Sequence, residues 1–361
     1  MTMRGSRSQW RRARIDDDVG SRHQDWCCVS VWTSVVKMNK TRLALSLMIL
    51  ALAVSPVLAF DPASVNGANY EKSAESSSND SNAVVLKLQI MLDRAHFSPG
   101  VIDGRMGDNT VYALREFEKQ SGLPSDGRLD QKVWNGLSAN KLDVLVPYTV
   151  TADDTKGPFA KDIPKDYAAM AEMDSLSYTS VEELLSEKFH ISIELLKALN
   201  PGARLDHPGE QIMVPNIADA APKGEVRSIE IDKGQGVLRG YGAEGKLLVV
   251  YPASIGSEEN PSPTGKMTVK GVARNPKYSY RPDKNFQQQG NEEPLTLPPG
   301  PNGPVGSIWI DLTKETYGIH GTADPELVGK SLSHGCVRLT NWDAEELGSL
   351  VKFGTKVSFR E

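Results

Sequence analysis

Residues 317–339 read YGIHGTADPELVGKSLSHGCVRL. Cys336 is the only cysteine after position 28; it stands two residues after His334 and two before Arg338, with His320 further back in the same stretch. A thiol with a free pKa of about 8.5 is mostly protonated at neutral pH, so a cysteine nucleophile needs a neighbouring base or cation, and both kinds are at hand. An inert buried cysteine would have apolar neighbours rather than His, Gly and Arg. A zinc site would need about four ligands, and Cys336, His334 and His320 lack a convincing fourth. Nucleophilic Cys/His catalysis is the reading that remains. Which imidazole meets the sulfur stays open.

Working outward, the chain turns β-rich after Pro222-Lys223-Gly224: VRSIEID, GVLRGYGA, KLLVVYPASIG, KMTVKGVA and SIWIDL read as short strands broken by Gly, Pro and Asn. Residues 226–361 therefore form a mostly β domain, and the inserts NPSPTG and LPPGPNGPVG read as loops around a cleft. Upstream, residues 81–140 predict a three-helix bundle. Val85, Leu88, Leu92 and Ala95 recur at helical spacing; a second helix follows Asp108 as N-cap, with Thr110, Ala113, Leu114 and Phe117 inward; a third starts near Asp130 and buries Val133, Trp134 and Leu137. Residues 141–225 predict a small α+β module: a strand at VPYTVT, two short helices in TSVEELLSEKFHISIELLKALNPG, and a strand at GEQIMVPN, with a long insertion over 152–177. His190 and His207, in this module, read as structural or solvent-facing.

The N-terminal part carries a different signal. Lys40 and Arg42 precede an apolar run from Leu43 to Val54, then Ser55-Pro56-Val57-Leu58-Ala59, the pattern of a secretory signal peptide over 38–59 cleaved after Ala59. Residues 1–37, with three tryptophans and Cys27-Cys28, do not suit the short n-region of a signal, which predicts a misassigned start and translation from Met38. The Ser/Asn-rich residues 60–80 read as a flexible leader. Nine of the 41 Lys/Arg and four of the 46 Asp/Glu lie within 1–59, so the remainder has a net charge of −10, which excludes nucleic acid as an expected partner. Composition, 39% hydrophobic and 24% charged, suits two or three folded modules.

Three resemblances join these readings. VIDGRMGDNTVYALREFEKQSGLPSDGRLD resembles the peptidoglycan-binding type 1 module through Asp103, Gly104, Gly107, Thr110, Ala113 and Phe117, with Glu118 where that family usually has Gln. The strand, two helices and strand of 141–225 resemble the LysM glycan-binding fold, from which the insertion departs. Residues 226 to about 359 resemble the L,D-transpeptidase (YkuD-like) catalytic domain: His320-Gly321, with twelve residues between His320 and Ser333, then Ser333-His334-Gly335-Cys336-Val337-Arg338, together with Tyr251-Pro252, Gly256 and Pro263-Thr264-Gly265.

The last resemblance implies Cys336 as nucleophile and His320 as general base and later acid, its ring oriented by the carbonyl of Gly321. Gly335 would let the amides around His334 to Cys336 face an oxyanion, with His334 supporting the base rather than acting as it. On the substrate side it implies Arg338, as partner of a substrate carboxylate or equally in a structural ion pair, and Ser333, ordering the loop through hydrogen bonds. No metal or cofactor is implied. The implied partner is peptidoglycan, a tetrapeptide stem as donor and a stem-peptide amine as acceptor, giving 3-3 cross-links in the periplasm or cell wall. Water as acceptor (an L,D-carboxypeptidase), a wall lipoprotein, and a non-catalytic wall-binding protein remain as alternatives.

Overall fold

In the computed structural model the N-terminal helices start earlier than expected. The structure describes residues 60–361 apart from 74–77, 218–220, 258–259, 285, 289 and 334, and the side chains of 72–82. The signal peptide and the start site fall outside the described residues, as does His334. Helix α1 (Pro62–Gly67) is capped by Asp61, whose carboxylate accepts from the Ala63 and Ser64 amides, with Pro62 in the first turn. Six residues cannot hold a helix alone. Val65 is fully buried, however, and Lys87 Nζ binds the carbonyls of Asn66 and Ala68 at 2.6 and 3.0 Å. With α2 (Tyr70–Ser73), the part of the expected leader over 60–73 is helical, and it lacks periodicity because it is held by a few tertiary contacts.

Helix α3 (Ser78–Arg94) is the centre of the next module, where only Val85 and Lys87 escape burial between Val84 and Leu92. Its buried Gln89 explains the Asp-Gly motif. Gln89 Nε2 donates to Asp103 Oδ1 (3.0 Å) and Thr110 Oγ1 (3.2 Å), and its Oε1 accepts from the Gly104 amide (2.8 Å). Those motif residues are scaffold. Helix α4 (Asp108–Gln120) is capped at Gly107, one residue before the expected Asp108, and α5 (Gln131–Leu137) by Asp130. Glu118 is buried and accepts from the Gly127 amide at 2.8 Å, a task a Gln oxygen would also perform; burial pushes its carboxyl up. The three expected helices thus sit in a larger assembly that includes α1 and α2.

Strand β1 (Leu145–Thr149) is followed by α6 (Ala152–Thr155) and α7 (Tyr167–Ala171) in the insertion, then α8 (Val181–Lys188), α9 (Ile193–Leu199) and β2 (Gln211–Pro215), which pairs antiparallel with β1. The remaining elements are β3 (Ser228–Asp232), β4 (Val237–Tyr241), β5 (Leu247–Pro252), β6 (Ser254–Ile255), β7 (Gly265–Arg274), β8 (Tyr278–Tyr280), β9 (Leu295–Leu297), β10 (Ile308–Leu312), β11 (Gly318–His320), β12 (Val337–Arg338), α10 (Asn341–Leu350) and β13 (Lys356–Arg360). Nine of these strands make one sheet in the order β5-β4-β3-β13-β7-β10-β11-β12-β6. Two neighbour pairs are parallel, β13 with β3 and β11 with β12.

The modules are joined by specific contacts. Backbone at His96 and Ser98 pairs with Val250 of the edge strand β5, at 2.9 Å in both directions, which covers that edge. Beneath it the buried Arg239 of β4 meets Glu116 of α4 at 2.7 Å and also faces Glu230 and Asp232.

Candidate active site

The parallel pairing of β11 with β12 fixes the chemistry's geometry. Ile319 lies opposite Val337 and His320 opposite Arg338, so the connection over 321–336 returns Cys336 to the start of β12, level with Gly318. His320 Nδ1 lies 2.6 Å from the Gly321 carbonyl oxygen, so that nitrogen carries the proton and Nε2 is left as acceptor. Trp309 of β10 stacks on the imidazole, with centroids 5.6 Å apart and planes 22° apart. Gly321 has no room for a side chain, since a Cβ would meet Asn341 Oδ1 at 2.1 Å. Asn341 is held in turn by the buried Glu187 of α8, at 2.9 and 3.0 Å. The His320 ring therefore rests on a carbonyl whose backing comes from a neighbouring module.

Burial drives the ring and the thiol apart from an ion pair. It lowers His320 to about 3, with the Arg338 charge adding to the effect. It pushes Cys336 up to about 11, against a backbone hydrogen bond from Gly318 and the Arg338 charge. Both shifts favour the neutral forms.

The loop that carries the cysteine is organised by Ser333. Its buried hydroxyl donates to the Cys336 carbonyl (2.5 Å) and accepts from the Gly256 amide (2.7 Å) and the Gly335 amide (3.2 Å). That hydroxyl is fully engaged and not free for substrate. Gly335 has φ +108°, a glycine conformation, and Ser262 Oγ donates to its carbonyl at 2.8 Å. The Gly335 amide is taken by Ser333, whereas the Cys336 amide has no acceptor among the described residues. Arg338 makes no ion pair among the described residues, and its Nε is buried without a partner. His190 and His207 lie elsewhere: His190 meets Asp93 at 3.0 Å and stacks on Trp342, and His207 is paired with Asp206.

Cys336, His320 and Arg338 open onto a cleft of about 570 Å³. Residues 226–358 match the description "L,D-transpeptidase catalytic domain", and residues 81–137 match "Putative peptidoglycan binding domain". Residues 226–358 are an L,D-transpeptidase catalytic domain. The chain is similar to "Putative L,D-transpeptidase YkuD" of Bacillus licheniformis, 29% identical over 178 residues that cover 49% of this chain and 91% of the relative. It is also similar to "Putative L,D-transpeptidase YkuD" of Bacillus subtilis, 29% identical, covering 48% and 90%. A crystal structure of L,D-transpeptidase 3 from Mycobacterium tuberculosis aligns with a TM-score of 0.32 at 18% identity, over 43% of this chain and 76% of that one. The protein is an acyltransferase that also carries a peptidoglycan-binding domain.

The sequence reading missed the other wall of the transpeptidase cleft. Lys165, Tyr167 and Met170 line it, and all three come from the insertion between β1 and α8. Tyr167, Met170 and Leu176 share a separate apolar core with Tyr280 of β8 and Leu297 of β9. Polar contacts lock the two segments: the Tyr167 amide donates to Gln288 Oε1 (2.8 Å), Gln288 Nε2 to the Lys165 carbonyl (2.8 Å), and the Asn302 amide to the Leu176 carbonyl (3.0 Å). Gly300 passes so close that a Cβ there would meet the Leu176 carbonyl oxygen at 2.1 Å. The one available signal was the length of the insertion itself.

Proposed function

We propose that the protein forms 3-3 cross-links in peptidoglycan through a thioester on Cys336. The Sγ attacks the carbonyl carbon of the third, L-centred residue of a tetrapeptide stem as the thiol proton passes to His320 Nε2. The oxyanion faces the Cys336 amide. The C–N bond then breaks, His320 returns the proton to the leaving nitrogen, and D-alanine departs. The side-chain amine of a neighbouring stem attacks the thioester, gives its proton to His320, and restores the thiol. Shifts that favour both neutral forms suit a proton transfer that accompanies the attack.

The observation that carries this reading is the Nδ1 contact of His320 with Gly321, which leaves Nε2 as a base beside the returning cysteine loop. Residues 81–137 supply the wall anchor, and the antiparallel pair of β1 and β2 with α8 and α9 between them, α6 and α7 lying in the insertion, supports a LysM-like second glycan contact. Export through a signal over 38–59 belongs to the same proposal. Incubating the purified protein with disaccharide tetrapeptides and separating the muropeptides by mass tests it. Dimers joined between third-position residues, with D-alanine released, are expected. Tripeptide monomers alone would make the protein an L,D-carboxypeptidase, and unchanged substrate would leave it a binding protein.

A further inference from the structure

The insertion over 152–177 brings a polar group to the cleft that no step above uses. Tyr167 is buried among Tyr278, Tyr280 and Phe286, with centroids 6.0, 5.2 and 6.0 Å away and all edge-on, so the ring is fixed by packing. Its amide is taken by Gln288, but its hydroxyl has no hydrogen-bond partner among the described residues, although the residue lines the cleft. Burial pushes the Tyr167 phenol up to about 12, against the pull of the Arg338 charge, so the hydroxyl stays a donor at neutral pH and senses that guanidinium. Arg338 is itself short of partners. Two fixed donors, one cationic, thus face the same space beside the nucleophile. Lys165, exposed and without an ion-pair partner among the described residues, adds a positive charge at the rim; Lys284 is paired with Glu315, and Asp324 is the one carboxylate among the lining residues.

We propose that Tyr167 of the insertion and Arg338 of β12 together form the subsite that binds the terminal carboxylate of the donor stem, making the module upstream of the catalytic domain part of its active site. The inference rests on the reaction proposed above. In a tetrapeptide the carboxylate nearest the scissile bond belongs to the departing D-alanine, its carbon two bonds from the leaving nitrogen. A neutral hydroxyl donor and a guanidinium suit one carboxylate between them. In a pentapeptide that carboxyl is tied up in a further amide and carries no charge, so the same pair would discriminate by chain length. A charged ligand group that loses one of its donors in a partly desolvated site loses about tenfold or more in affinity.

Tyr167→Phe removes only the hydroxyl and keeps the packed ring, so it separates recognition from folding. The test compares kcat/KM of wild type and Tyr167→Phe on two disaccharide tetrapeptide donors, one with a free terminal carboxylate and one with a terminal primary amide. The expected result is a loss of roughly tenfold on the free acid, expressed mainly in KM, and less than twofold on the amide. Equal losses on both donors, or none on either, would overturn the proposal. Absence of wild-type turnover on the free acid would instead overturn the reaction on which it rests.

Discussion

The two walls of the cleft are built by different means. The catalytic wall is local: His320 and Cys336 are sixteen positions apart, and one parallel strand pair sets their register. The opposite wall is assembled over distance, from Tyr167 and Met170 packed on residues more than a hundred positions away. A local wall depends on backbone pairing and tolerates little change in chemistry. A distant wall depends on packing, so it can shift in position while the chemistry survives. Changes on the first should abolish the reaction, and changes on the second should retune it.

The largest effects belong to the catalytic wall. Cys336→Ala should reduce D-alanine release by a factor on the order of 10⁴ or more, and His320→Ala by about 10² to 10⁴. Release assays on the same donor check both; a variant of either residue that kept a tenth of wild-type activity would break the assignment of this wall. Next comes the thiol's reactivity. A thiol titrating at about 11 carries about a hundredfold less thiolate at pH 7 than one titrating at 9. Alkylation of Cys336 by iodoacetamide should therefore keep rising with pH to about 11. His320, lowered to about 3, is already neutral across that range and adds no second inflection. A plateau reached below pH 8 would mean a preformed thiolate–imidazolium pair.

The distant wall should respond more gently. In Gly300→Ala the new methyl meets the Leu176 carbonyl, and the backbone there has φ +151°, so the insertion must move outward. The expected outcome is a KM raised about tenfold with kcat within about threefold, measured by steady-state kinetics. Equal collapse of kcat would show that the two walls are not separable.

The smallest effect concerns the link between modules. Burial raises Glu187 to about 7 from its ordinary value of 4.5. Its contribution to stability is present below pH 4.5 and is lost as pH rises toward 7, because the unfolded chain ionises there first. Glu187→Gln should accordingly raise Tm by a few degrees at pH 8 and change it little at pH 4, as read by thermal denaturation at the two values. A Tm lowered at pH 8 would mean that the charged form is the one the Asn341 amide requires.

The same contrast explains what the sequence could convey. His320, Cys336, Ser333 and Gly335 are legible because their chemistry is carried by residue type at short spacing. Even there the capture of the Gly335 amide by Ser333 was not, because it is a side-chain contact that spacing does not encode. Helices α4 and α5 follow from periodicity and caps, although the cap of α4 moved to Gly107. Helix α1 was invisible because one valine and a lysine from α3 hold it. Tyr167 was invisible because it lies in a polar stretch without period, and its meaning comes from Tyr278, Tyr280 and Phe286. The difference is between interactions within a turn or strand and those closed by long loops.

Intact-protein mass spectrometry tests the central claim most directly. Residues 60–361 are mixed with a disaccharide tetrapeptide in the absence of any acceptor amine, quenched in acid, and digested to locate the adduct. The account predicts a mass gain equal to the donor less D-alanine, mapped to Cys336 and absent from Cys336→Ala. An adduct on another residue, or D-alanine release by Cys336→Ala, would contradict it.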